Sequence, residues 1–175
     1  MKRQTKKLTL TLLGLLGLSL ALSATTNEIA VLYDGNSSIN RDTLHFLNQQ
    51  IGALHSPYSL VTFKNGQDIQ PGAYKAVVVL NTGLSNGIDR AFEGFLTGYA
   101  HKNEIILVSL RRGSDSIQVE YAPAAKNSLG VDAVTAASVW EGRGFGGLFG
   151  KKSDSPYAMH VEWVKKVLAF ADHVK

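Results

Sequence analysis

Between Tyr74 and Leu110 the chain reads YKAVVVLNTGLSNGIDRAFEGFLTGYAHKNEIILVSL, and this stretch decides the fold. Ala76-Val77-Val78-Val79-Leu80 is a continuous, mostly β-branched apolar run of strand length, and Glu104-Ile105-Ile106-Leu107-Val108-Ser109-Leu110 is a second. Uninterrupted runs of this kind suit strands covered on both faces. Between them Ile88, Ala91, Phe92, Phe95, Leu96 and Tyr99 fall at i, i+3, i+4, i+7, i+8 and i+11, which is one stripe of a helix and no pattern for a strand. Gly94 and Gly98 share a helical face, where the missing side chains are expected to let the helix lie close on a sheet. The unit is strand, helix, parallel strand, and its crossover is expected to be right-handed.

Upstream, Glu28 to Tyr33 opens the domain with the buried-strand pattern Ile29-Ala30-Val31-Leu32-Tyr33. It runs directly into Asp34-Gly35-Asn36-Ser37-Ser38-Ile39-Asn40, a loop of turn formers and hydroxyls. A helix follows, with Leu44, Leu47 and Ile51 at i, i+3 and i+7, Phe46 widening the stripe, Asn40 or Asp42 as the expected N-cap and Gly52 as the stop. The first strand therefore feeds a loop ending at a helix N-terminus, where backbone N–H groups and the dipole favour an anion. Tyr58 to Phe63 alternates as a second strand, and Lys64-Asn65-Gly66-Gln67-Asp68 is a turn cluster. Pro71-Gly72 breaks any long helix before Tyr74, leaving room for a single helical turn.

Downstream of Leu110, Arg111-Arg112-Gly113-Ser114-Asp115 is a polar loop, and Ile117 to Tyr121 alternates like an edge strand. Ala122 to Ser128 suits a short helix entered through Pro123, and Val131 to Trp140 a last strand. Glu141 to Gly150 holds five glycines in ten residues together with Phe145, Leu148 and Phe149. Ser155-Pro156 is a cap with proline at the first helical position. The final helix, Pro156 to His173, puts Val161, Val164, Leu168 and Ala171 on one face with Trp163, Val167 and Phe170 beside it. Strands alternating with helices, five strands in all, predict an α/β three-layer sandwich around a five-stranded, mainly parallel sheet. Ligands of such sheets bind at the carboxyl ends of the strands. Here those ends are Asp34 to Asn40, Asn81 to Gly87, Arg111 to Asp115 and the glycine loop.

Lys2, Arg3, Lys6 and Lys7 precede an uncharged stretch from Leu8 to Leu22 that ends in Ala21-Leu22-Ser23-Ala24. This is the pattern of a secretory leader. Its apolar region falls short of the roughly 20 residues a spanning helix needs. Residues 1–24 are thus expected to be a signal peptide, cleaved after Ser23 or Ala24, and residues 25–175 one exported domain, periplasmic or secreted, with no transmembrane segment after cleavage. The leader holds four of the 18 basic residues, so the mature chain balances 14 basic against 14 acidic groups. That balance gives no electrostatic case for a nucleic-acid partner or an anionic membrane. With no cysteine in the chain, disulfides, thiol nucleophiles, thiolate metal sites and a lipoprotein anchor are excluded.

In topology and loop placement the arrangement resembles flavodoxin-like proteins, across most of the mature chain. Flavodoxins wrap the FMN phosphate in a hydroxyl-rich loop after the first strand, against the N-terminus of the following helix. Ser37, Ser38 and Asn40 stand in that place, with Asp34 and Gly35 ahead of them. The resemblance implies FMN as cofactor and electron transfer to a partner as the activity. It also implies that Thr82, Gly83 and Asn86 border the flavin ring. Independently of the resemblance, Arg111-Arg112 at the carboxyl end of a strand suits a clamp on a phosphate or carboxylate, and a charged loop is the plainer reading. The loops after the third and fourth strands carry no aromatic residue of the kind the family uses against the ring; Trp140 and Tyr121 are the replacements at hand.

Three further patterns bear on function. Asp132-Ala133-Val134-Thr135-Ala136-Ala137-Ser138 is similar to the D-x-x-[ST]-G-A-[ST] sequence at which secreted FMN-binding domains receive a phosphoester-linked FMN, which would make Ser138 the acceptor; a tightly packed strand of small residues is the plainer reading. Gly83-Leu84-Ser85-Asn86-Gly87 is a G-x-S-x-G between strand and helix, with Asp132 and then His160 or His173 following in triad order. That reading makes Ser85 the nucleophile of a hydrolase; the plainer one makes it a helix cap. The five histidines show no metal-ligand spacing, so no metal site and no defined catalytic set is expected. A non-enzymatic alternative makes the domain an envelope accessory module that touches a protein partner through Phe145, Leu148 and Phe149. The leading expectation is an exported flavodoxin-like domain that binds a small anionic ligand, FMN by resemblance.

Overall fold

The computed structural model describes residues 27–82, 87–111, 117–138 and 159–174. The leader, Gly83, Ser85, Asn86, Trp140, Ser155-Pro156 and the glycine loop with Phe145, Leu148 and Phe149 lie outside the described residues. The described residues form β1 (Glu28–Tyr33), α1 (Ser38–Ala53), β2 (Ser59–Phe63), β3 (Ala76–Thr82), α2 (Arg90–Gly98), β4 (Ile105–Leu110), β5 (Ile117–Ala122), β6 (Asp132–Ser138) and α3 (Val161–His173). No helix among them is long and apolar enough to cross a membrane.

The strands make one sheet in the order β2-β1-β3-β4-β6-β5. All neighbours pair in parallel except β5, which runs antiparallel to β6 with Ile117 opposite Ser138 and Ala122 opposite Ala133. The expected count of five strands is therefore corrected to six. The linkers explain the directions of pairing. Residues 64–75 between β2 and β3 just reach the length of a parallel crossover, about a dozen residues. The link from β5 to β6 is shorter, runs through Pro123 and holds a single 3₁₀ turn, Ala124–Lys126, so the chain can only fold back antiparallel.

Every residue of β3 is buried. Ala76, Val78 and Leu80 pack with Leu47 and Ile51 of α1 and Trp163, Val164 and Val167 of α3. The alternate residues, Val77 and Val79, pack with Phe92, Leu96 and Tyr99 from α2 and its C-cap. An apolar run without alternation follows from this: both sides of the strand face a helix.

Two local expectations fail for definable reasons. A Cβ at Gly94 or Gly98 would meet nothing within 4 Å. The buried stripe of α2 is Phe92 and Leu96, and the two glycines sit on the opposite side of the helix, away from the sheet. The glycine that does permit close packing is Gly66, where a Cβ would lie 2.4 Å from the Phe95 ring. In α1 the N-cap is Ser37, ahead of both Asn40 and Asp42; the Asn40 N–H donates to Ser37 Oγ at 3.3 Å. Asn40 itself is turned inward and only 2 % exposed.

Candidate functional site

The chain leaves β1 on one side to form β2, then crosses back over β1 to form β3, so the strand order reverses between β1 and β3. The crevice at the carboxyl ends of those two strands is where open α/β sheets hold ligands. One wall is the loop from Asp34 to Ser37. Its shape is set by the Asn36 N–H donating to Asp34 Oδ1 at 2.9 Å and the Ser37 N–H donating to Asp34 O at 3.2 Å. The Asp34 carboxylate is thereby directed at its own loop.

Two cations close on this loop. Arg41, in the first turn of α1, donates from Nη1 to Gly35 O at 2.9 Å. Lys64, the residue after β2, lays its side chain across Gly35, so that a Cβ built there would fall 2.8 Å from Lys64 Cε. Neither cation pairs with a carboxylate among the described residues. Gly35 is thus the floor of a small cationic rim at the mouth of the switch point. Sequence reasoning missed both cations, because nothing local marks them. The signal that could have found Lys64 is its place at the carboxyl end of a strand that must lie beside β1.

The sequence-predicted ligand residues divide sharply by use. Ser37 spends its hydroxyl on capping α1, whereas Ser38, the first helical residue, is exposed. Asn40 and Thr82 are both buried, and Thr82 Oγ1 donates to Asn40 Oδ1, tying the end of β3 to the first turn of α1. They are brought together, but as a brace beneath the crevice. Arg111 follows β4 with its backbone N–H donating to Ala136 O at 2.9 Å, and the residue is exposed. Gly83 and Asn86 are outside the described residues, yet the ends of their loop are well anchored. Asn81 donates from Nδ2 to Gly87 O at 3.0 Å and to Ser109 Oγ at 3.1 Å, and its Oδ1 accepts from the Asp89 N–H at 2.9 Å.

Two buried side-chain groups on the α1 and α3 side have no partner among the described residues: the Thr43 hydroxyl, one turn beyond Asn40, and the Trp163 indole N–H. The Trp163 ring lies 5.9 Å from that of Phe46.

Ser85 lies outside the described residues, but the acid and the histidines that follow it in triad order are placed. Asp132 begins β6 at the amino edge of the sheet, where its carboxylate accepts from the Tyr121 hydroxyl and from the Ala124 N–H at 2.8 Å. Thr82, at the carboxyl end of β3, lies two strands across from β6 and four residues beyond the level of Asp132, about 13 Å of strand rise. His173 is also at the amino edge, at the end of α3, and the His160 Nδ1 accepts from the Glu162 N–H as the cap of that helix. The FMN-attachment-like stretch forms β6, with Val134 and Ala136 buried in the core shared with α3. No group of three or more potential metal ligands occurs among the described residues.

Compared with known proteins, the chain matches no family model, no curated protein and no solved structure.

Proposed function

We propose that this protein is an exported, flavodoxin-like α/β domain that binds a small phosphate-bearing anion at the loop after β1, with FMN as its ligand and electron transfer as its task. The observation that carries the reading is the convergence of Arg41 and Lys64 on Gly35 at the switch point. Support for the scaffold comes from the five parallel strands alone, whose order β2-β1-β3-β4-β6 is the doubly wound order 2-1-3-4-5. Ser38 and the first N–H groups of α1 lie beside the same loop, and the two cations supply the charge that such a helix end lacks by itself. When bound, the flavin carries the redox chemistry. The chain holds the phosphate, and the fixed ends of the loop 83–86 border the rest of the ligand. Export is the function of the leader.

The test is a titration of the mature protein with FMN, followed by flavin fluorescence, and with inorganic phosphate as competitor. Saturable binding, weakened about tenfold by Arg41→Ala or by Lys64→Ala, is expected for the loss of one charge-assisted contact at a partly exposed site. Gly35→Ala is expected to weaken binding with little effect on folding, because the added methyl displaces only the flexible end of Lys64. A protein that takes up neither FMN nor phosphate, or binds FMN equally well in all three variants, overturns the proposal.

A further inference from the structure

A second concavity lies at the opposite, amino edge of the sheet. A cleft of about 680 Å³ opens between the C-terminal half of α3 and the turn that joins β5 to β6. This is within the roughly 300–1,000 Å³ of small-molecule sites. Small side chains at Ala124 and Ala169 leave the space, and Phe170 and Val174 supply an apolar floor. Tyr121 forms a wall and is 42 % exposed, one of two large apolar side chains so open among the described residues. Its ring is nevertheless held, because its hydroxyl donates to the Asp132 carboxylate. Burial, reinforced by that bond, pushes the phenol up to about 12. An apolar wall fixed in advance spares a ligand the cost of ordering it.

The charges in the cleft are not equivalent. Both oxygens of Asp132 are engaged, one by Tyr121 and the other by the Ala124 N–H. Lys166 is exposed and makes no hydrogen bond or ion pair among the described residues. The carboxylate one turn before it, Glu162, accepts instead from Lys165 at 2.6 Å. Asp132 keeps its negative charge but is tied to Tyr121 and Ala124, and the Lys166 ammonium, which feels Glu162 one turn before it, is the charged group with hydrogen-bond donors left to meet a ligand.

We propose that this cleft binds an amphipathic carboxylate, with a chain or aryl body against Tyr121, Phe170 and Val174 and its carboxylate toward Lys166. The site is separate from the switch-point crevice and does not depend on the flavin reading, since the two lie at opposite edges of the sheet.

The experiment is an amide NMR titration of the mature chain with octanoate and, separately, with 1-octanol. Saturable octanoate shifts are expected at Ala124, Ala169, Phe170 and Val174. Octanol is expected to bind about fivefold more weakly, the value of one partly screened charge contact. Lys166→Glu should weaken octanoate by about the same factor and leave octanol unchanged, and Ala169→Trp should fill the cleft and abolish both. Should the tryptophan variant fail to fold, the comparison of the two ligands on the unmodified chain still decides. Absence of saturable shifts at these amides overturns the proposal, as does equal affinity for octanoate and octanol, or a response confined to residues 34–41.

Discussion

Two threonines of similar burial are expected to respond to the same substitution with opposite signs. Thr43 is fully buried in α1 and its hydroxyl has no hydrogen-bond partner among the described residues. Thr82 is 7 % exposed at the end of β3, and its hydroxyl donates to the buried Asn40 side chain. Valine has nearly the shape of threonine and a similar helix propensity, so Thr→Val exchanges a hydroxyl for a methyl and little else. At Thr43 the hydroxyl was desolvated without compensation, a cost of about 1–3 kcal/mol. Thr43→Val is therefore expected to stabilise the protein by about 1–2 kcal/mol, a rise in Tm of roughly 2–8 °C for a domain of this size. At Thr82 the same exchange leaves Asn40 Oδ1 buried and unpaired, and a loss of about 1–3 kcal/mol is expected. Urea unfolding of the two variants and the unmodified chain, with thermal melts alongside, measures both. A Thr43→Val variant less stable than the unmodified chain by 1 kcal/mol or so would refute the reasoning, since it would mean that the Thr43 hydroxyl is satisfied after all. Equal effects at the two positions would do the same.

Three further outcomes follow from local geometry. Gly66→Ala places a methyl against the Phe95 ring, where a Cβ would be 2.4 Å from Cδ2, and overpacking of this kind costs about 1–3 kcal/mol; a thermal melt with Tm unchanged contradicts the packing. Glu104 is buried and accepts from the Gly72 N–H at 3.0 Å and the Tyr99 hydroxyl at 3.3 Å, with His101 Nδ1 at 2.7 Å. Glu104→Gln replaces one acceptor oxygen by a donor and is expected to cost about 1–3 kcal/mol in urea unfolding, while a neutral result would dissolve the network. Tyr58 donates to Asp172 at 2.7 Å, and burial followed by that bond raises its phenol to about 12. Because the folded value lies above the ordinary 10.0, the associated stability is complete below pH 10 and is lost as pH rises toward 12. Phenolate absorbance and melting between pH 9 and 12 should show this, and Tyr58→Phe should flatten part of the decline; a Tyr58 that ionises near pH 10 is incompatible with the contact.

The legible part of the fold was the part encoded over short spans. Ala76 to Leu80 and Glu104 to Leu110 announced buried strands because both faces of each are covered, and the spacing of Phe92, Leu96 and Tyr99 announced a helix with one buried stripe. The candidate site was legible only as a place. The loop after β1 was identified, but Asn40 and Thr82 proved to brace it from below, and the cations that rim it, Arg41 and Lys64, were not singled out. The approach of Lys64 to Gly35 depends on β2 lying beside β1 with Leu32 opposite Phe63, a pairing that no window of adjacent residues contains, whereas Arg41 reaches Gly35 from only six residues away, across the loop and the first turn of α1. The placement of Gly94 and Gly98 failed for a related reason: a helical pattern says which residues share a face but not which face meets the sheet.

By itself the sequence determined the kind of the main elements, the α/β class, the balance of 14 basic and 14 acidic residues over 25–175 and the absence of thiol chemistry, all of which follow from composition and from periodicity along the chain. Only the tertiary structure decided the antiparallel pairing of β5 with β6, the separation of Asp132 from Thr82 at the carboxyl end of β3, and the cleft beside Lys166. Those depend on which distant segments share an edge of the sheet, and that is settled by strand order and register, whose partners lie tens of residues apart.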